Sequence, residues 1–312
     1  ICEDENVVER FDAVTFERRG DVVLPIGSRA YGLVANPDGT SYAASLRDAG
    51  RVVFFLDEIT DEVAVDDPRA LAWSDAGVLL VTRWRAEDAG ASVYVLDVSG
   101  EPVLSREVRL PRQEGLDSDT DNSGVPSFLD AITLTPDGFR AALGALKANV
   151  VTGLHRTGTE LTSQTTARAV FIELLPTERL DYEESGRFSF DDLDYASAIV
   201  ASAVGDRLYL SMMGAERVVV LEAYTFDIVG SIAHVGRGVR GLALDGDGHL
   251  WVHADLSRAL HVYDPSDLGE EPVRLAAVPT IDEEPLSPEV LQGKRLFRES
   301  ADPRISRTSY LS

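Results

Sequence analysis

The chain has 312 residues, 53 of them acidic and 29 basic, for a formal charge of −24. A surface this acidic repels phosphate backbones and anionic lipid, which argues against nucleic-acid binding and against membrane attachment through a basic face. Apolar residues make up 44% of the chain, enough for a sizeable core, yet no apolar run reaches the roughly 18 residues that a membrane-spanning helix needs.

Cys2 is the single cysteine, which excludes an internal disulfide and any CxxC metal or haem motif within the chain. It has two readings: the lipid-modified cysteine of a bacterial lipoprotein, to which Ile1 is a poor fit, or a domain cut at an arbitrary point. No basic stretch leads into an apolar one, so a signal peptide is absent or already removed. Residues 1–26, with Val7-Val-Glu-Arg-Phe11, Val14-Thr-Phe16 and Asp21-Val-Val-Leu24, read as extra strands that begin a sixth unit or close a ring.

From residue 27 onward the sequence repeats. Gly32-Leu-Val-Ala-Asn-Pro-Asp-Gly39 is followed by Tyr42-Ala-Ala and Arg51-Val-Val-Phe-Phe-Leu-Asp57, and this pattern of strand, small-residue turn, strand, turn, strand returns four times. The turn glycines are Gly39, Gly77, Gly138, Gly205 and Gly248, spaced by 38, 61, 67 and 43 residues. The short spacings match a four-stranded propeller blade of about 40–50 residues, and the long ones require insertions. The fold expected is all-β: a β-propeller of four-stranded antiparallel blades, with five repeats visible and six or seven blades in a full ring. The blades are placed at 27–66, 67–112, 126–190, 193–236 and 237–279. A meander sandwich is the alternative for such units, but the period favours radial stacking.

Two insertions interrupt the repeats. The first, Pro111 to Pro126, carries Asp117, Asp119 and Asp121, the opening half of a calcium loop, where alternate carboxylates can converge on one hard cation. Asn122 stands where that loop wants glycine and Phe128 where it wants glutamate. A solvated acidic loop and a calcium site completed by carbonyls and Asp130 therefore both stand. The second, Ala145 to Thr166, is a polar excursion between the second and third strands of its blade.

Eight positions before each turn glycine lies the start of the innermost strand: Tyr31, Arg69, Asp130, Ser197 and Arg240. In a propeller these five surround one mouth of the central tunnel, either as an ion-paired ring or as a ligand site, with Arg29 nearby in sequence. Among the histidines, His249 and His253 lie four apart on a strand, about 13 Å by the rise per residue, too far to share a metal. His155 and His234 stand apart from them, and His261, in another strand of that blade, could approach one of the two. No nucleophile elbow, P-loop, HExxH or dinucleotide-binding glycine pattern occurs. Glu183-Glu184 and Asp191-Asp192 read as solvated loop acids.

From Thr280 the strand pattern stops. Ser287-Pro288-Glu289 is a helix start, with Ser287 as N-cap and Pro288 in the first turn. Val290, Leu291, Leu296 and Phe297 follow at helical spacing, and residues 291–312 hold five basic and two acidic side chains. The run Ser287-Pro-Glu-Val-Leu-Gln-Gly-Lys-Arg-Leu-Phe297, with Ser300-Ala-Asp-Pro-Arg-Ile-Ser306 and Ser309-Tyr-Leu-Ser312, resembles the lead-in to the first haem motif of the bacterial di-haem cytochrome c peroxidase family. The repeats resemble bacterial surface propellers of the YVTN type, with Leu80-Val-Thr-Arg83 as a degenerate copy. Gly124-Val-Pro-Ser-Phe-Leu129, Thr135-Pro-Asp-Gly138, Lys147-Ala-Asn149 and Gly153 are similar to one blade of propellers fused to such di-haem domains.

The resemblance implies a propeller over 1–279 and, over 280–312, a linker and the first helix of a cytochrome c-like domain. The haem-attaching cysteines and histidine are missing, so no haem residue carries over and c-type haem is expected only in a downstream domain. The function implied is a non-catalytic scaffold or docking propeller of a periplasmic, extracellular or cell-surface electron-transfer protein of peroxidase type. Its partner would be a protein or the attached haem domain, and the chain itself is expected to be monomeric. The alternatives are a stand-alone adhesion propeller and a metal-dependent hydrolase of the lactonase kind. The latter needs several acidic or amide ligands at the tunnel mouth, where only Asp130 is acidic.

Overall fold

In the computed structural model of the chain, residues 5–12, 15, 17–112, 124–148, 155–157, 160–162, 168–176, 187–190, 196–268 and 272–299 are described. Cys2, Asp117, Asp119, Asp121, the two acidic pairs of the sequence reading and the tail beyond Glu299 lie outside them.

The glycine-marked turns organise the fold. Gly39, Gly77, Gly138, Gly205 and Gly248 all adopt positive φ, between 71° and 85°. Each donates its amide to the carbonyl three residues back, from Asn36, Ser74, Thr135, Ser202 and Asp245 respectively. Only a residue without a Cβ takes this conformation cheaply, so each glycine fixes a tight reversal between two antiparallel strands.

Five four-stranded meanders result. The first sheet holds β3 (Ala30–Ala35), β4 (Tyr42–Leu46), β5 (Arg51–Phe55) and β6 (Ile59–Ala64), and the second β7 (Pro68–Ser74), β8 (Val78–Arg83), β9 (Gly90–Asp97) and β10 (Val103–Pro111). The third holds β11 (Val125–Leu134), β12 (Arg140–Ala148), β15 (Arg168–Pro176) and β16 (Arg187–Phe190). Its insertion carries a small hairpin of β13 (His155–Thr157) and β14 (Glu160–Thr162). The fourth holds β17 (Ala196–Ala201), β18 (Arg207–Met212), β19 (Arg217–Glu222) and β20 (Ile228–Ala233), and the fifth β21 (Val239–Leu244), β22 (Leu250–Ala254), β23 (Ala259–Asp264) and β24 (Val273–Pro279). Among the described residues, the N-terminal strands β1 (Val7–Phe11) and β2 (Arg18–Val23) pair only with each other.

Central strands buried on both faces read as continuous apolar runs, and the reason is the stacking. In β5, Val52 and Phe54 pack toward the second sheet, with Leu71, Leu79, Val81 and Leu96. Val53 and Phe55 point the other way, onto Val8, Val22 and Leu24 of the N-terminal hairpin. Further cores join the second sheet to the third, the third to the fourth and the fourth to the fifth. The inner strands β3, β7, β11, β17 and β21 pack side by side in that order. The architecture is a β-propeller, and the hairpin occupies the next position around the ring, on the outer face of the first blade.

Two boundaries differ from the sequence reading. The second insertion leaves its blade after Ala148 rather than at Ala145, because β12 stays paired with β11 up to Val125↔Ala148. For the same reason Asp130 lies within a ten-residue strand and not at its start.

The helix α1 (Pro288–Arg298) begins as its sequence indicates, with the Ser287 side chain accepting from the Val290 amide. None of its side chains is buried, and Phe297 is 85% exposed. Polar contacts hold it instead. Arg295 donates through Nε and Nη2 to the Leu256 carbonyl at 3.2 and 3.1 Å. Arg298 reaches Asp255 at 3.5 Å, and Arg237 reaches Glu299 at 3.7 Å. The lead-in is tied by Arg258, which binds Glu284 at 2.9 Å.

Candidate functional site at the tunnel mouth

Every inner strand is irregular at one place. Its register with the second strand of the blade slips between Ala30 and Leu33, Pro68 and Leu71, Ser127 and Ala131, Ala196 and Ala198, and Val239 and Gly241. Those intervals contain Tyr31, Arg69, Asp130, Ser197 and Arg240. A bulge takes a residue out of the ladder and re-aims its side chain, which is how five chain-distant positions come to face one mouth.

The bulge amide that loses its ladder partner is recovered by a hydroxyl on the second strand. Ser45 accepts from the Gly32 amide at 2.8 Å and Thr82 from the Ala70 amide at 2.9 Å. The same hydroxyls donate across to the following blade, Ser45 to the Arg69 carbonyl and Thr82 to the Leu129 carbonyl. In the fourth blade the link to the following blade is made by Ser197, which donates to the Val239 carbonyl at 2.7 Å and lies 2.9 Å from the Ser211 hydroxyl. The third blade has Gly144 at the hydroxyl position, where a Cβ would lie 2.6 Å from the Ala196 carbonyl oxygen. The fifth has His253, whose pKa burial pushes below the ordinary histidine value.

Four of the five mouth residues meet. Arg69 and Asp130 are buried and joined at 2.6 Å through Nε and Oδ1. The Arg69 guanidinium carbon lies 3.1 Å from the Tyr31 ring centre and 4.8 Å from that of Trp84, so the cation is flanked by two aromatic faces. Arg240 approaches the Tyr31 ring at 5.7 Å and Arg47 the Trp84 ring at 4.8 Å, which extends the stack at both ends. Ser197 binds the backbone next to Arg240 and takes no part in the stack. Burial, with help from the Asp130 charge, pushes the Tyr31 hydroxyl pKa up against the opposing effect of Arg69 and Arg240. Arg29 stays at the exposed rim, 3.4 Å from Asp48.

Trp84 and Arg47 are the parts that the spacing rule did not identify. Trp84 also packs edge-on to Phe128 at 5.5 Å. Beside it, Arg85 binds Asp67 at 2.8 Å. Burial opposes the charge on Asp67, but hydrogen bonds from the Arg85 side chain and amide outweigh it and lower the pKa. The signal for Trp84 was its place just after the strand that carries Thr82.

The Asp130 carboxylate faces a guanidinium, which is not the environment of a calcium ligand. Among the described residues, one group of side chains is spaced for a metal: Asp245, Asp247 and His249 in the turn before β22. Asp245 already accepts from the Asp247 and His249 amides and from the Trp251 indole, so its carboxylate serves the turn. His261 does not approach His253: it pairs with Val252, and its ring lies toward Tyr263 on the other face of the sheet.

No protein-family model and no curated protein matches this chain. Solved structures do. A chain of the Kuenenia stuttgartiensis hydrazine synthase aligns with a TM-score of 0.60 at 16% identity, over 85% of this chain and 91% of that one. A chain of a nidogen/laminin complex aligns with a TM-score of 0.61 at 11% identity, over 89% and 91%. A putative 6-phosphogluconolactonase from Bacteroides uniformis aligns with a TM-score of 0.57 at 15% identity, over 91% and 82%. At such identities the likeness establishes the fold alone.

Proposed function

We propose that the chain is a non-catalytic propeller that scaffolds, and docks partners onto, a di-haem electron-transfer module of peroxidase type attached through α1, outside the cytoplasm. The observation that carries this reading is the polar clamp on α1. The segment resembling a cytochrome lead-in is held against the fifth blade by Arg295, Arg298, Arg258 and Arg237, so a domain attached through it would start from a set position. The acidic surface suits steering of a basic redox partner. Occurrence of the fold in a hydrazine synthase and in a nidogen/laminin complex agrees with a propeller that works inside assemblies.

Likeness to a putative lactonase raises hydrolysis as a second reading. Metal-dependent hydrolysis needs oxygen ligands converging at the mouth, and the one carboxylate among the five positions is committed to Arg69. The test is the absorbance spectrum of the full-length gene product, made in a host that matures c-type cytochromes. A sharp Soret band with two haems per chain is expected. A haem-free product would overturn the reading in favour of an adhesion propeller.

A further inference from the structure

We propose that the tunnel mouth binds a small oxyanion, held by the Tyr31 hydroxyl, the Trp84 indole N–H and the Arg240 guanidinium beside the Arg69–Asp130 pair. Two observations lead there independently. The first is an excess of donors. Among the described residues, the Tyr31 hydroxyl and the Trp84 Nε1 are both sealed from solvent with no hydrogen bond of good geometry, and the two rings flank the same guanidinium. Buried polar atoms are almost always satisfied, and an indole N–H can only donate. What completes this site must therefore bring acceptor oxygens.

The second is charge. Among the described residues, the guanidiniums of Arg29, Arg47, Arg69 and Arg85 stand around the mouth against the carboxylates of Asp48, Asp67 and Asp130. A local surplus of cations in a chain of −24 makes an anionic acceptor better suited than a neutral one. Arg85 and Arg29, with side chains 64% and 59% exposed, mark the way in. This site does not depend on the di-haem reading, since it lies wholly within the blades.

The experiment titrates the full chain with sodium phosphate and, separately, sodium malonate, at ionic strength held constant with sodium chloride. Binding is read by calorimetry and by the rise in Tm that a ligand of the folded state produces. Saturable binding of at least one anion is expected. Phosphate alone would identify a tetrahedral ligand and malonate alone a carboxylate. Tyr31→Phe removes only the hydroxyl, Trp84→Phe removes the N–H together with part of the ring, and each should weaken binding about tenfold. Arg240→Gln should weaken it at least as much, and Arg51→Gln, at the blade periphery, should leave it unchanged. No saturable binding of either anion would overturn the proposal, as would equal affinity in Tyr31→Phe, Trp84→Phe and Arg240→Gln.

Discussion

The two sides of the tunnel mouth use one backbone device for different ends. In the first three blades the inner-strand bulges present Tyr31, Arg69 and Asp130, which assemble into a buried ion pair capped by aromatic faces. In the fourth blade the same bulge presents Ser197, which with Ser211 only fastens its blade to the next strand. The bulge is thus the structural constant, a hydroxyl clasp accompanies it in the first, second and fourth blades, and the side chain it turns inward is the variable. One side is built for charge and the other for cohesion, and the two should respond differently to mutation.

The largest effect is expected on the charged side. Asp130→Ala leaves Arg69 buried without its counter-ion, which should cost about 3–5 kcal/mol of stability in urea unfolding. Asp130→Ala within the range of a surface substitution would mean that the pair is not sealed from water. Next comes the close approach between blades. A Cβ on Gly32 would overlap the Arg69 carbonyl oxygen, so Gly32→Ala should destabilise by about 1–3 kcal/mol.

On the cohesive side, Ser197→Ala removes one buried hydroxyl and should cost about 1–2 kcal/mol. Thr82→Val, the matching change in the second blade, should fall in the same range. If Thr82→Val cost as much as Asp130→Ala, the distinction between clasp and charge would fail.

A smaller effect separates the fifth blade, where His253 replaces the hydroxyl. Burial holds the His253 and His261 imidazoles below the ordinary histidine pKa. In the unfolded chain these groups take up protons near a pKa of about 6.5, where the folded chain does not. The unfolded state then binds more protons, so stability falls as pH drops from about 7.5 to about 5.5. Tm measured across that window should decline, and the decline should be shallower in His253→Asn. The smallest effect is at the rim: Arg51→Ala breaks an exposed pair with Glu62 and should change stability by no more than about 0.5 kcal/mol.

Much of this was legible in the sequence, for identifiable reasons. The five turn glycines mark tight reversals whose chemistry is local, so counting back from them reached five residues read as inner-strand starts, which the structure places in the inner-strand bulges. Ser287 and Pro288 specified the helix start by the same kind of local rule. The failures are non-local. Nothing near Trp84 or Arg47 says that they stack at the ends of one aromatic–cation column, because that column exists only once the first and second blades are side by side. The extension of β12 to Ala148 depends on pairing with Val125, on another strand of its blade. The Ser45, Thr82 and Ser211 positions recur in the sequence, but their purpose needs the carbonyl of the following blade or the neighbouring bulge hydroxyl.

The measurement that tests the central claim most directly is a double-mutant cycle on the mouth pair. Stability of the full chain would be compared for Arg69→Met, Asp130→Leu and the double variant. The account predicts two strongly destabilised single variants and a double variant restored to within about 1 kcal/mol of the parent, since a buried pair is replaceable by apolar residues of similar size but not by half of itself. Additive losses in the double variant would contradict it, because they would mean that Arg69 and Asp130 sit at the mouth without acting on each other.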